Sequence, residues 1–156
     1  MQSSWVLPVI AALLIVSVMG LVVAGLNPSR SSFGWFMRLR RPQWLVFERW
    51  IPLIWLLIYG CFAASAWLGW YSSRSGLLMA AYLVQLVLVQ SYTLVICRNR
   101  SLGQGTAIAS AGWIWGVALT VVVAASSPAA ALLLLPYLLW SPVGTLVTWQ
   151  MRQLNR

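Results

Sequence analysis

The sequence predicts an all-α integral membrane protein: a five-transmembrane-helix bundle with its N-terminus outside and its C-terminus in the cytoplasm. Three observations lead there. The 156 residues are 62% hydrophobic and only 7% charged, too few charges to cover a water-soluble domain of this size. Five apolar runs reach the roughly 20 residues that a helix needs to cross hydrocarbon. The ten cations are all arginine, and one acid, Glu48, accompanies them. If the five runs are spans, Arg30, Arg38, Arg40, Arg41, Arg49, Arg98, Arg100, Arg152 and Arg156 share one side and Arg74 alone lies on the other. Basic loops stay in the cytoplasm, so that side is read as cytoplasmic. An even number of spans would break the segregation.

The spans are read at residues 5–26, 50–70, 77–97, 106–125 and 129–151. In lipid the backbone must satisfy its own hydrogen bonds, so each is a helix. They occupy most of the chain, which makes residues 1–156 a single membrane domain. The first run exceeds the 7–15 apolar residues of a signal-peptide core and no basic residue precedes it, so it is read as a retained helix. Residues 27–49 then form a cytoplasmic loop carrying five of the arginines. In the second run Trp55, Tyr59 and Phe62 recur at i, i+4, i+7 and make one aromatic stripe. In the third, Tyr82, Gln85, Val89 and Tyr92 share a face. The fourth contains Gly112-Trp-Ile-Trp-Gly116, a GxxxG spacing that permits close helix approach inside the bundle or in a dimer; internal packing or lipid contact is favoured. In the fifth, Tyr137, Trp140, Gly144 and Thr148 align, and Pro136 and Pro142, each lacking a backbone donor, loosen the helix on either side of Trp140.

Trp5, Trp67 and Trp70 fall at outer span ends and Trp35, Trp44, Trp50 and Trp149 at cytoplasmic ends, where an aromatic belt is expected. Trp55, Trp113, Trp115 and Trp140 lie deeper. Three helices thus offer aromatic faces with a few polar groups, the composition of helix packing and equally of a small-molecule cavity. Cys61 and Cys97 are separated by about 15 Å of helical rise, too far for a disulfide.

The absences narrow the chemistry. There is no histidine, no carboxylate pair and no metal-ligand cluster, so hydrolytic, metal-assisted and histidine-ligated haem chemistry are set aside. No charge lies inside a span, whereas proton-coupled transporters usually place one there. The net charge of +9 is read as topology-setting arginine at lipid headgroups rather than a nucleic-acid surface.

The stretch Trp35-Phe-Met-Arg-Leu-Arg-Arg-Pro42-Gln-Trp44, followed by Pro52, Trp55 and Tyr59, resembles the TspO/MBR family, which includes the translocator protein (peripheral benzodiazepine receptor) and bacterial tryptophan-rich sensory proteins. Tyr82, Gln85, Leu86 and Leu88 fit its third helix. Leu135-Pro136-Tyr137-Leu138-Leu139-Trp140-Ser141, with Thr145 and Trp149, fits its fifth. The chain departs from the family pattern at Leu45-Val46-Phe47-Glu48, where Pro-Pro is common, and at Val89, Tyr92, Gln104 and Ile108.

The resemblance implies a five-helix bundle, often a homodimer, whose ligand cavity opens to the cytoplasm beneath the loop after the first helix. It implies binding of tetrapyrroles such as protoporphyrin IX, no required cofactor and no metal, in a multi-pass protein of the bacterial plasma membrane linked to stress responses. Trp44, Trp55, Tyr59, Gln85, Tyr92, Tyr137 and Trp140 are the expected ligand-binding residues. Arg38, Arg40 and Arg41 are the expected rim for the propionates, because arginine pairs with carboxylates in a bidentate way. Three roles are open: a receptor, sensor or transporter-like binder of tetrapyrroles or similar lipophiles, a light-dependent porphyrin degrader using Trp55 and Trp140, and a membrane scaffold with no dedicated ligand.

Overall fold

The computed structural model describes residues 6–155; Trp5 and Arg156, included in the reading above, lie outside them. Among the described residues all regular structure is helical: α1 (Val6–Gly25), α2 (Arg30–Met37), a 3-10 turn (Glu48–Trp50), α3 (Ile51–Ser73), α4 (Gly76–Asn99), α5 (Leu102–Ser126), α6 (Pro128–Leu132) and α7 (Leu135–Leu154). Five helical stretches are long and apolar enough to cross a membrane: α1, the 3-10 turn with α3, α4, α5, and α6 with α7. Contacts run α1–α3, α3–α6/α7, α7–α5, α5–α4 and α4–α1, which closes the bundle into a ring.

Serines set four of the helix starts. The side chains of Ser29, Ser75, Ser101 and Ser127 accept from backbone N–H groups at the heads of α2, α4, α5 and α6, which satisfies donors that a helix start leaves free. Because Ser101 caps α5, that helix begins four residues before the expected Thr106, and the connection from α4 shrinks to Arg100 and Ser101.

Two expectations are corrected. The region 27–49 is not a plain loop, since α2 occupies eight of its residues. The fifth span is not one helix over 129–151: it breaks at Leu133 and Leu134, between α6 and α7. Pro136 lies in the first turn of α7, where its missing N–H does no harm, but the same ring disfavours continuous helix through the preceding residues.

Pro142 remains inside α7. Lacking an N–H, it leaves the Leu138 carbonyl without its usual helical partner. The Trp113 indole of α5 donates to that carbonyl at 3.0 Å. Two more indoles act across helices: Trp115 donates to Ala81 O of α4 and Trp67 to Pro8 O of α1, both at 3.0 Å. Gly112 and Gly116, which flank Trp113 and Trp115, turn inward. A Cβ at Gly116 would lie 2.8 Å from the Tyr137 ring, and one at Gly112 would lie 3.0 Å from its hydroxyl. The GxxxG spacing therefore seats Tyr137 of α7 and serves internal packing, as expected.

The arginine-bearing segments meet at one end of the bundle. Asn155, near the end of the described chain, exchanges two hydrogen bonds of 2.9 Å with the Arg40 backbone, and the Arg152 guanidinium lies over Gly103. At the opposite end Arg74 stacks on Trp70 and Tyr71. The main core lies toward that opposite end, around Phe62, Ala66, Tyr82, Leu86, Leu119, Val123 and Ala130. Ser65 ties it together, donating to Ala130 O while the Tyr82 hydroxyl donates to Ser65 Oγ, each at 2.7 Å. Such bonds matter here because lipid tails supply no hydrophobic drive between helices.

Candidate functional site

Toward the arginine end the bundle is hollow. A chamber of about 790 Å³ lies between α3, α4 and α7 and is covered by α2 and the segment after it. Phe33, Phe36 and Met37 of α2 form its roof, spaced i, i+3, i+4 so that one helical face looks in. Leu45, Ile51, Pro52 and Trp55 line it from the entry to α3, Tyr92 and Thr93 from α4, and Trp140, Gly144, Val147, Thr148 and Met151 from α7. Arg41, Glu48 and Arg49 line it at the mouth.

A smaller chamber of about 40 Å³ continues inward, sharing Trp55, Tyr92, Trp140 and Gly144 and adding Tyr137, Ile108, Gly112 and Ser141. Trp55 and Trp140 therefore stand where the wide chamber narrows. Each is braced by a neighbouring ring: Trp55 by Tyr59, centroids 5.7 Å apart, and Trp140 by the edge of Phe47 at 6.1 Å. Tyr59 in turn donates to Gln90 Oε1, and Tyr92 is hydrogen-bonded to Thr148 across the α4–α7 gap. These bonds fix the aromatic rings that form the walls.

The sequence-expected residues separate by depth. Trp55, Tyr92, Trp140 and Arg41 line the wide chamber. Tyr137 lines the narrow one. Tyr59 and Gln85 lie deeper, at a void of about 10 Å³ that also touches Tyr137, close to the space of one water molecule. Both polar atoms of the Gln85 amide are buried without a hydrogen-bond partner. Trp44 stands behind the wall: its indole donates to Gln150 Oε1 at 2.6 Å and its ring rests on Phe47, which carries its support through to Trp140.

The rim differs from the expected Arg38, Arg40 and Arg41. Arg38 and Arg40 are exposed and do not line the chamber, and the Arg40 backbone is committed to Asn155. Arg49 takes their place, lying over the Trp50 ring at 5.5 Å. Arg41 is held on several sides. Its Nη1 donates to Met37 O at 3.2 Å and to Leu39 O at 3.1 Å, its guanidinium covers the Phe36 ring, and its Nε pairs with Glu48. This is the one ion pair among the described residues.

Glu48 and the α2 face of Phe33, Phe36 and Met37 line the chamber without having been expected there. Ser29 as a helix cap ahead of Phe33, Phe36 and Met37, and the singularity of Glu48, were signals that could have found them.

No group of three or more potential metal ligands occurs among the described residues, and Cys61 and Cys97 are both free thiols. Chemically the chamber offers aromatic and aliphatic walls with two guanidinium groups, one of them paired with Glu48.

The family model described as TspO/MBR family matches residues 9–154. No curated protein matches the chain.

Proposed function

The chain belongs to the TspO/MBR family, and from that premise we propose that it is a membrane receptor or sensor, transporter-like in form, that takes tetrapyrroles such as protoporphyrin IX into the chamber beneath α2. Five apolar spans and the family together make it an integral, multi-pass membrane protein, and membership points to a sensor or receptor role. The observation that carries the ligand reading is the joint placement of Trp55, Trp140 and two arginines on one chamber of about 790 Å³, within the size range of small-molecule sites.

A macrocycle lying between Trp55 and Trp140 would gain aromatic contacts of about 0.5–1.5 kcal/mol per pair beyond area burial. Its propionates would lie toward Arg41 and Arg49. The narrow chamber, with Tyr137 and Ser141, is left for small substituents. No cofactor is needed for binding of this kind.

The gathering of the arginine-bearing segments at one end supports the cytoplasmic placement of that end and of the chamber mouth, by the positive-inside rule. On that reading the N-terminus lies outside and the C-terminus inside, in a bacterial plasma membrane. Should the protein form homodimers, they would use a face other than Gly112 and Gly116, which Tyr137 already fills.

A second reading, light-dependent degradation of the bound porphyrin, is favoured by one observation: two tryptophans face the same chamber. Titration of the protein with protoporphyrin IX, read by tryptophan quenching, tests the first. Saturable quenching that is lost in the Trp55→Phe/Trp140→Phe double variant is expected; quenching unchanged in that variant removes the chamber as the site. Illumination of the complex tests the second. A porphyrin spectrum that survives light as well as it does beside free tryptophan removes degradation.

A further inference from the structure

The chain's single acid sits where a ligand's carboxylate would bind. Arg41 is a fixed cation: backbone carbonyls of Met37 and Leu39 hold one edge of its guanidinium and Phe36 holds its face. Its remaining edge, at Nε, is taken by Glu48. Glu48 is the opposite case. Its side chain is 43% exposed against 17% for Arg41, and it lies at the start of the 3-10 turn, so it can leave for solvent by rotation about its own side-chain bonds. Both side chains line the chamber.

We propose that Glu48 is a built-in stand-in for the ligand's carboxylate: an entering anionic amphiphile binds by replacing Glu48 on Arg41, while Arg49 receives a second carboxylate without exchange. Glu48 is then the residue that sets the chamber's preference between charged and neutral ligands. With Glu48 in place, a single carboxylate gains little at Arg41, because one ion pair is broken for each one made. A neutral molecule leaves the Arg41–Glu48 pair intact and forfeits nothing there. Glu48 thereby narrows the chamber's preference for carboxylates over their neutral esters. This rests on the chamber being the ligand site, and it does not require the ligand to be a tetrapyrrole.

The test uses the full chain in nanodiscs of neutral phosphatidylcholine, so that no lipid anion competes. Two acid and ester pairs serve as probes: protoporphyrin IX with its dimethyl ester, and pyrenebutyrate with its methyl ester. Glu48→Gln should tighten the acids by about two- to fivefold, the span of an exposed ion pair, and leave the esters unchanged. In an Arg41→Gln background the same substitution should have no effect, the signature of two residues acting through one contact.

Three results overturn the proposal: an acid-to-ester ratio that Glu48→Gln does not move, a change shared equally by acids and esters, or an undiminished effect of Glu48→Gln when Arg41 is absent. If Arg41→Gln fails to fold, Glu48→Ala replaces it, and the proposal stands only if both Glu48 variants move the ratio the same way. Should the pyrene pair follow the expectation while neither porphyrin binds, the exchange stands and the tetrapyrrole reading falls. Should no probe bind, both fall.

Discussion

The part of the bundle around Ser65 and the part around Arg41 share α3 and α4 but are built to opposite effect. Around Ser65 the interfaces use small residues, Ala66, Gly69, Ala130 and Ala131, and the helices close until side chains of one meet the backbone of the next. Around Arg41 the facing positions carry Trp55, Tyr92 and Trp140, rings too large to interdigitate, and the helices stand apart over a chamber. The core there shrinks to Ile96, Leu102 and Met151. In a membrane, where apolar area alone does not draw helices together, side-chain size at the interface decides whether a bundle is solid or hollow.

Filling the hollow part should have the largest effect. A Cβ at Gly144 meets nothing within 4 Å and points to both chambers, so Gly144→Phe should weaken protoporphyrin binding at least about a hundredfold, or about 2.7 kcal/mol, with the thermal midpoint unmoved. Binding retained in a folded variant would place the ligand elsewhere. The same kind of insertion where the bundle closes should damage the fold instead. Gly116→Ala puts a methyl group 2.8 Å from the Tyr137 ring and should lower stability in mixed-micelle unfolding by about 1–3 kcal/mol.

Ser65→Ala removes the bond to Ala130 and leaves the Tyr82 hydroxyl without its acceptor; a loss of about 1–2 kcal/mol is expected by the same assay. Ligand affinity should barely change, since Ser65 lines neither chamber. The smallest effect should come from Trp113→Phe. It breaks one bond to the carbonyl that Pro142 frees, for about 0.6 kcal/mol, the average for side-chain hydrogen bonds between membrane helices. A loss of several kcal/mol would mean that the indole holds more of α7 than one carbonyl.

The five spans were legible because length and hydropathy alone define them. Their ends were less so: capping by Ser101 moved the start of α5 from Thr106 to Leu102, and Pro136 split the last span. The inward stripes on α3, α4 and α7 were also legible, since Tyr, Gln and Thr among aliphatic residues mark a face that avoids lipid. Of the site, Trp55, Tyr92, Trp140 and Arg41 followed from those stripes and from the motif around Pro42. Val147, Met151 and Thr93 did not, because a chamber wall and a lipid-facing surface draw on the same apolar residues. Arg38 and Arg40 could not be told from Arg49 by spacing, as the path of the chain between α2 and α3 decides which guanidinium reaches the mouth.

No residue of α1 is buried. It leans on the core through Ile15, Met19 and Val22, and Trp67 reaches across to Pro8, but it lines no part of the wide chamber. Separation of α1 into the surrounding lipid would therefore leave the lining of the wide chamber intact. Because its own backbone bonds travel with it, the event would be silent to amide exchange. A pair of fluorophores on α1 and α3 would report it, at full occupancy of the chamber.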